Sequence, residues 1–442
     1  MRRLTLLACL LLVSCMLSAQ GIRIYKTDGS SSDMPISEID RIECLPDMKF
    51  DVTDYSAEVM KMYVTKLGYK IPGEKEDREA VRVKLVNEAG DELLTTDGGI
   101  RLRGNSTSEL EKKPWDLKLN EKTAMLGMPK DKRWVLLANY WDRTNLRNDV
   151  GLEIARRTTG MPWNPHSQYV QLYIDNKYTG LYLLCEKIKS SKNRVNITEM
   201  DATATAAPEV TGGYLLEFDY NLDTQTFKSS GFNFDVNIKE PDPATKEQLA
   251  YIQEYVNSME AVLKNASQVQ AHGYEKYLDV NSFIDFWLVG EVVMNKDFMG
   301  PASCYMYKDR NGVMFAGPIW DLDLYTFSGQ PHGGVNNFLL KDWCLYYKAL
   351  FADSKFVDQV KVRWQLLKAS LENEENSIYD YIDKRSALIS DEVQKDDKAY
   401  PKRQYSGKLT GDEYVTFPQA VSMMKDFLTK RIAALDELIR KL

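Results

Sequence analysis

Between Asp285 and Asp323 the hydrophobic period of this chain changes twice, and each change ends on carboxylates. Phe286, Leu288, Val289, Val292 and Val293 recur at helical spacing, and the run stops at Asn295 and Asp297. Ser303 to Lys308 and Val313 to Ala316, parted by Asp309-Arg310-Asn311-Gly312, then read as a hairpin. It continues through Gly317-Pro318-Ile319-Trp320 into Asp321 and Asp323. Helix and sheet are therefore required in one domain, meeting where three carboxylates emerge.

The rest of the chain fits that demand. Val81 to Val86, Ile100 to Arg103 and Trp115 to Leu119 alternate as strands, and Trp134 to Ala138 is a further apolar run. Leu146, Val150 and Ile154 mark a helix over Asn145 to Thr158, stopped by Gly160 and Pro162. Tyr169 to Ile188 is a hairpin turning at Asp175-Asn176, and Gly213 to Asp219 is a strand. Helical spacing holds over Thr245 to Asn265, Val280 to Met294, Ser354 to Leu371 and Phe417 to Leu442, whereas Ala202 to Val210 is an exposed loop. A β-rich first part and an α-rich second part make an α+β, two-lobed domain.

At the N-terminus, Arg2, Arg3 and the apolar run Leu4 to Leu17 form a secretory leader over residues 1–19. Leu12-Val13-Ser14-Cys15 also resembles a lipobox, with Cys15 as the lipid-bearing residue. The expected location is secreted, periplasmic or cell-surface, with membrane contact only through that anchor. Residues 20–47 read as a small β appendage in which Ile22 to Lys26 turns at Asp28-Gly29 and pairs back with Ile42 to Cys44. Cys44, Cys185, Cys304 and Cys344 are scattered without a Cys-x-x-Cys pair, which indicates buried free thiols.

A net charge of −7 argues against a nucleic-acid polymer as partner. Residues 101–160 nevertheless carry 13 Lys/Arg against 8 Asp/Glu, which suits a cationic cleft for a polyphosphate as well as an ordinary solvated surface. Arg103, Lys118, Arg147 and Lys187 are its candidate cations, with Glu153 or Glu186 as ion-pair partner of a strand lysine. Asp321 and Asp323, at i and i+2 of an extended segment, share a face. Two such carboxylates repel unless a cation lies between them, and hard oxygen ligands suit Mg²⁺ or Mn²⁺. Alone, Asp297 fits a turn former as well as a catalyst. No His-Glu-x-x-His helix or Gly-x-Ser-x-Gly elbow occurs, and paired carboxylates leave glycoside hydrolysis as a lesser alternative.

Several motifs resemble those of the spore coat protein H (CotH) kinase family. They are Ile100-Arg101-Leu102-Arg103-Gly104-Asn105-Ser106-Thr107, Lys112-Lys113-Pro114-Trp115-Asp116-Leu117-Lys118-Leu119, residues 126–139, Leu146-Arg147-Asn148, residues 180–188, Gly212 to Glu217, Asn295-Lys296-Asp297 and residues 317–323. The resemblance implies a diverged bilobal protein-kinase-like fold over residues 48–442, with a β-rich N-lobe to about 195 and a mainly α-helical C-lobe beyond. It implies an atypical secreted Ser/Thr protein kinase using ATP with Mg²⁺ or Mn²⁺ on a protein substrate. Asp297, aided by Asn295, is then catalytic and Asp321 and Asp323 are metal ligands. Lys118, in competition with Lys112, Lys113 and Arg103, contacts phosphate, with Glu153, Glu186 and Lys187 nearby. Ala302 and Ser303 stand where a conventional kinase carries its second metal-binding Asn, which leaves that ligand to Ser303 or Asn295. The other reading is a catalytically weak, kinase-like surface adhesion or glycan-associated protein.

Overall fold

The computed structural model describes residues 21–25, 31–35, 57–71, 77–401, 411–412 and 414–442. The leader, Cys15 and the segment Ile42 to Cys44 lie outside the described residues. Near the N-terminus β1 (Gly21–Tyr25) pairs antiparallel with β2 (Ser31–Pro35). The partner strand is thus nearer in sequence than expected.

Seven strands close a barrel: β3 (Met60–Lys70), β4 (Glu79–Val86), β5 (Glu92–Leu102), β6 (Trp115–Met125), β7 (Met128–Leu137), β8 (Ser167–Ile174) and β9 (Lys177–Glu186). The order is β3-β4-β5-β6-β7-β9-β8, closed by the parallel pair β3/β8. Alternation decides which residues fill it. Met62, Val64, Val81, Val83, Leu117 and Leu119 point inward and are buried together, so Asp116 and Lys118 fall on the outer face. Asp175 and Asn176 make the β8–β9 turn at φ 50° and 62°, a conformation that suits a two-residue hairpin. On β7 and β9 the outer side chains are apolar as well: Val135, Leu137, Leu183 and Cys185 belong to a second core. Burial on both faces explains why these strands read as continuous apolar runs.

The second core joins that barrel wall to α1 (Arg147–Arg156) and to a sheet of β10 (Tyr214–Phe218), β11 (Thr226–Lys228), β12 (Asp235–Glu240), β13 (Cys304–Lys308) and β14 (Met314–Ala316). The sheet order is β11-β12-β10-β13-β14, all antiparallel. Helices α2 (Lys246–Lys264), α3 (Ala266–Gln270), α4 (Val280–Val293), α5 (Tyr347–Leu350), α6 (Ser354–Leu371), α7 (Ile378–Ala399) and α8 (Phe417–Arg440) complete it. α4 is apolar around most of its circumference and almost wholly buried, as a central helix must be. Cys185, Cys304 and Cys344 are buried free thiols, as the spacing suggested. Among the described residues no helix is long and apolar enough to cross a membrane.

α7 fastens the barrel to the helices through polar contacts. Arg385 pairs with Asp149 of α1 at 2.7 Å and donates to Gln168 of β8 at 3.0 Å. Gln171 donates to Glu392 at 2.7 Å, and Lys112 pairs with Asp396 at 2.9 Å with neither exposed. Gly180 sits at φ 132°, and a Cβ there would lie 2.5 Å from Asp396 Oδ1 and 2.7 Å from Lys112 Cε. Glycine is what lets this pair nest against β9. Breaking one partner of a buried pair leaves an uncompensated charge, so Arg385→Met is expected to cost about 3–5 kcal/mol. Urea denaturation measures it; a loss below about 1 kcal/mol would mean that the Asp149 charge does not depend on Arg385.

Candidate active site

The acidic wall is assembled by α1, α4, β10 and β13. α4 ends at Met294, whose left-handed conformation (φ 53°) turns the chain sharply into Asn295. Asn295 is fully buried. Its Oδ1 accepts from Asp297 N at 3.0 Å and its Nδ2 donates to Asp321 O at 3.2 Å. One side chain thereby sets the distance between the two acidic segments. Just past β10, Asp219 Oδ2 accepts from Ser303 N at 2.8 Å, and Ser303 Oγ lies 3.3 Å from Asp321 Oδ2. Both ends of Asn295 and the Ser303 hydroxyl are thus engaged in positioning carboxylates.

Asp321 and Asp323 do not come together through an extended segment. Asp321 has φ 62°, and residues 317–323 form no strand. α1 fixes their conformation. Asn148 Oδ1 accepts from Leu322 N at 2.9 Å, Arg147 Nη1 donates to Asp323 O at 3.1 Å, and Leu322 packs over Gly151, where a Cβ would collide with it. Arg147, a sequence candidate for anion binding, is instead ion-paired to Asp412 at 2.6 Å.

These carboxylates crowd one another. Desolvation, then the charges of Asp321 and Asp219, push Asp297 up to about 6. Desolvation, then Asp321 and Asp142, push Asp323 up to about 7. Asp321 opens to the cavity, yet the protein around it crowds out bulk water and raises it, with Arg103 opposing.

The facing wall is cationic. Asp116 Oδ2 receives Lys187 at 2.6 Å, Arg133 at 3.0 Å, Arg78 at 3.2 Å and Arg101 at 3.3 Å. Arg103 stacks over Trp320 with its guanidinium carbon 5.6 Å from the ring centre. Between the walls lies a cavity of about 660 Å³ lined by Arg101, Arg103, Asp116 and Lys187 on one side and Asp219, Asp297, Asp321 and Asp323 on the other. The Gly104–Thr107 loop lines it too.

Of the sequence candidates, Arg103, Lys112, Lys187, Asp297, Ser303, Asp321 and Asp323 line this cavity, with Asn295 behind them. Lys118, Glu153 and Glu186 are not among the lining residues. Glu153 pairs with Arg156 and Arg157, both at 2.8 Å, so it faces its own helix. Glu186 is buried against Arg194 at 2.6 Å, on the opposite side of the strand from Lys187. Neither carboxylate serves a cavity lysine; Asp116 does. Sequence reading overlooked Asp116, Arg101 and Asp219. The signal was present for Asp219, because Glu217 and Asp219 stand at i and i+2 of the strand pattern that runs from Gly213 to Asp219.

The donor set suits a hard divalent cation. Asp321 and Asp323 are oxygen donors held close by Asn148, Arg147 and Asn295, and their mutual repulsion would be relieved by a shared positive charge. Among the described residues no group of three or more His, Cys, Asp or Glu forms a ready-made cation cage. One or two carboxylates completed by phosphate oxygens and water is the ordinary way Mg²⁺ is held.

Because Asp321 is the leading charge acting on Asp297, Asp321→Asn is expected to bring the Asp297 carboxyl down from about 6 toward its ordinary range. Carboxyl-carbon NMR titration reads this directly; an unmoved midpoint would show the two groups to be independent.

No curated protein matches the chain. The family model described as CotH kinase protein matches residues 100–435, most of the sequence and every residue that lines the cavity. The chain belongs to the CotH kinase family.

Proposed function

We propose that the protein is a secreted, atypical kinase that transfers the γ-phosphoryl group of ATP to Ser or Thr hydroxyls of a protein substrate, with Mg²⁺ or Mn²⁺. The carrying observation is the opposition of charges across one cavity, cations on the barrel side and carboxylates on the other. A metal–polyphosphate complex has the same polarity. The barrel would then act as the N-lobe, residues about 48–195, and the remainder as the C-lobe. The apolar N-terminal run supports export, either through a leader over residues 1–19 or, in the lipobox reading, with Cys15 as the lipid attachment point.

Phosphoryl transfer asks the protein mainly for position and charge. Arg103 and Lys187 would bind the phosphate oxygens. Asp321 and Asp323 would hold the divalent ion, which supplies neutralisation of charge on the phosphates. Asp297, tethered through its backbone to Asn295, would orient the acceptor hydroxyl and receive its proton at the carboxylate. Its elevated pKa suits that role, since a base nearer neutrality takes a proton more readily.

Asp297→Asn and Asp321→Asn are each expected to lower transfer at least about 100-fold with the fold retained by circular dichroism. Labelled ATP with Mn²⁺ provides the assay, and undiminished labelling in both variants would overturn the assignment. Asp297 works as a base only when ionised, so activity should rise with pH through about 6 and then level. A rate independent of pH from 5 to 7 would contradict this.

A further inference from the structure

We propose that Tyr220 and Leu222 form a docking rim for the acceptor polypeptide, taking an uncharged, apolar side chain of the segment that carries the phosphorylated Ser or Thr. The inference rests on the kinase reading of the cavity and adds to it a preference among acceptors, set by named residues. Among the described residues eleven large apolar side chains are exposed, and three of them, Leu102, Tyr220 and Leu222, line this one cavity. Exposed apolar residues scattered singly need no explanation, whereas a cluster of them marks a surface that something covers. Tyr220 is 67% exposed and Leu222 61% exposed, so both stand at the opening of the cavity with most of their surface in water.

The loop that carries them is fixed to the acidic wall. Asp219 Oδ1 accepts from Asn221 N at 2.7 Å and from Asn221 Nδ2 at 2.9 Å, while its Oδ2 holds Ser303. Ser303 Oγ meets Asp321, and Ala302 N donates to Asp297 O at 3.0 Å. One carboxylate therefore references Tyr220 and Leu222 to the residues assigned to catalysis. From the other side the buried Asn237 of β12 donates to Asn221 O at 2.8 Å and accepts from Asp223 N at 2.9 Å. Lys239 bridges Glu217 at 3.1 Å and Asp223 at 2.5 Å. A loop already ordered in this way loses little entropy when a partner covers it.

Charge decides the occupant. Arg101, Arg103 and Lys187 draw phosphate oxygens to the barrel side, whereas Glu217, Asp219 and Asp223 repel them from this one. An acceptor segment without acidic residues meets no such repulsion, and its hydroxyl has to reach Asp297 on the same wall. An extended chain advances about 3.3 Å per residue, so a side chain within about three residues of the hydroxyl spans a cavity of about 660 Å³. An apolar side chain there would cover Tyr220 and Leu222; an Asp or Glu would face Asp219 and Asp223.

A positional-scanning library of peptides with one central Ser, phosphorylated by the full chain with labelled ATP and Mn²⁺, tests the rim. The wild type is expected to select an apolar residue at a fixed position within about three residues of the Ser, and to reject Asp or Glu there. In Tyr220→Ala/Leu222→Ala that selection should disappear and the KM for the selected peptide should rise about tenfold, with kcat and the KM for ATP unchanged. Tyr220→Phe should keep the selection, as should Trp343→Ala, which removes an exposed aromatic that does not line the cavity. Three results would overturn the proposal while leaving kinase activity in place. They are equal use of all peptides by the wild type, selection surviving in the double variant, and a raised KM for ATP in place of that for peptide. If no peptide is labelled, the failure is that of the kinase reading, and binding to the same library, immobilised, decides the rim. Apolar selection lost in the double variant supports it; binding that is unselective, or unchanged in the variant, overturns it.

Discussion

Charge removed from water has to be neutralised by other charge, and the carboxylates crowded along one wall of this cavity set that demand. Asp297, Asp321 and Asp323 raise one another's affinity for protons. Opposite them, Lys187, Arg133 and Arg78 outweigh the desolvation of Asp116 and hold it ionised well below the usual carboxylate range. Desolvation and like-charge repulsion are costs, and a fold keeps them only when the surrounding contacts over-determine the geometry. A ligand carrying both signs, phosphate oxygens on one side and a metal ion on the other, would match the polarity of the two walls.

The over-determination comes from elements with no catalytic chemistry of their own. α1 presents Arg147, Asn148 and Gly151 to the backbone of the Asp321–Asp323 segment, which holds Asp321 in a left-handed conformation unusual for a residue with a Cβ. α1 is in turn held by α7 through Asp149 and Arg385, and α7 is bound to β8 and β9 through Gln168, Gln171 and the buried Lys112–Asp396 pair. The carboxylates are therefore referenced to the same strands that carry the cations. Position on one wall is tied to position on the other.

Much of this was legible before any coordinates. Ser354–Leu371 matches the spacing-based helix at both ends, and the hairpin after Asp297 is where the alternation put it. Local period is a local property, and sequence reports it well. Barrel closure by the parallel pairing of β3 with β8 was not legible, because it joins strands about a hundred residues apart. The same reason hid the lysine's partner. Glu153 in its helix and Glu186 at a strand end were plausible by position, but strand alternation turns Glu186 away and Arg156 and Arg157 occupy Glu153. Asp116 lies about seventy residues from Lys187 and meets it only because β6 and β9 both flank β7. The extended geometry assumed for Asp321 and Asp323 failed for a related reason: contacts from α1 override what the local sequence would adopt alone.

The central claim is that one cavity holds phosphate on the barrel side and a divalent ion on the acidic side. The most direct measurement is a crystal structure with Mn²⁺ and a non-hydrolysable ATP analogue, the metal located by its anomalous scattering. The account predicts Mn²⁺ bonded to Asp321, with phosphate oxygens reaching Arg103, Arg101 and Lys187. Nucleotide bound elsewhere, or Mn²⁺ away from Asp321 and Asp323, would contradict it.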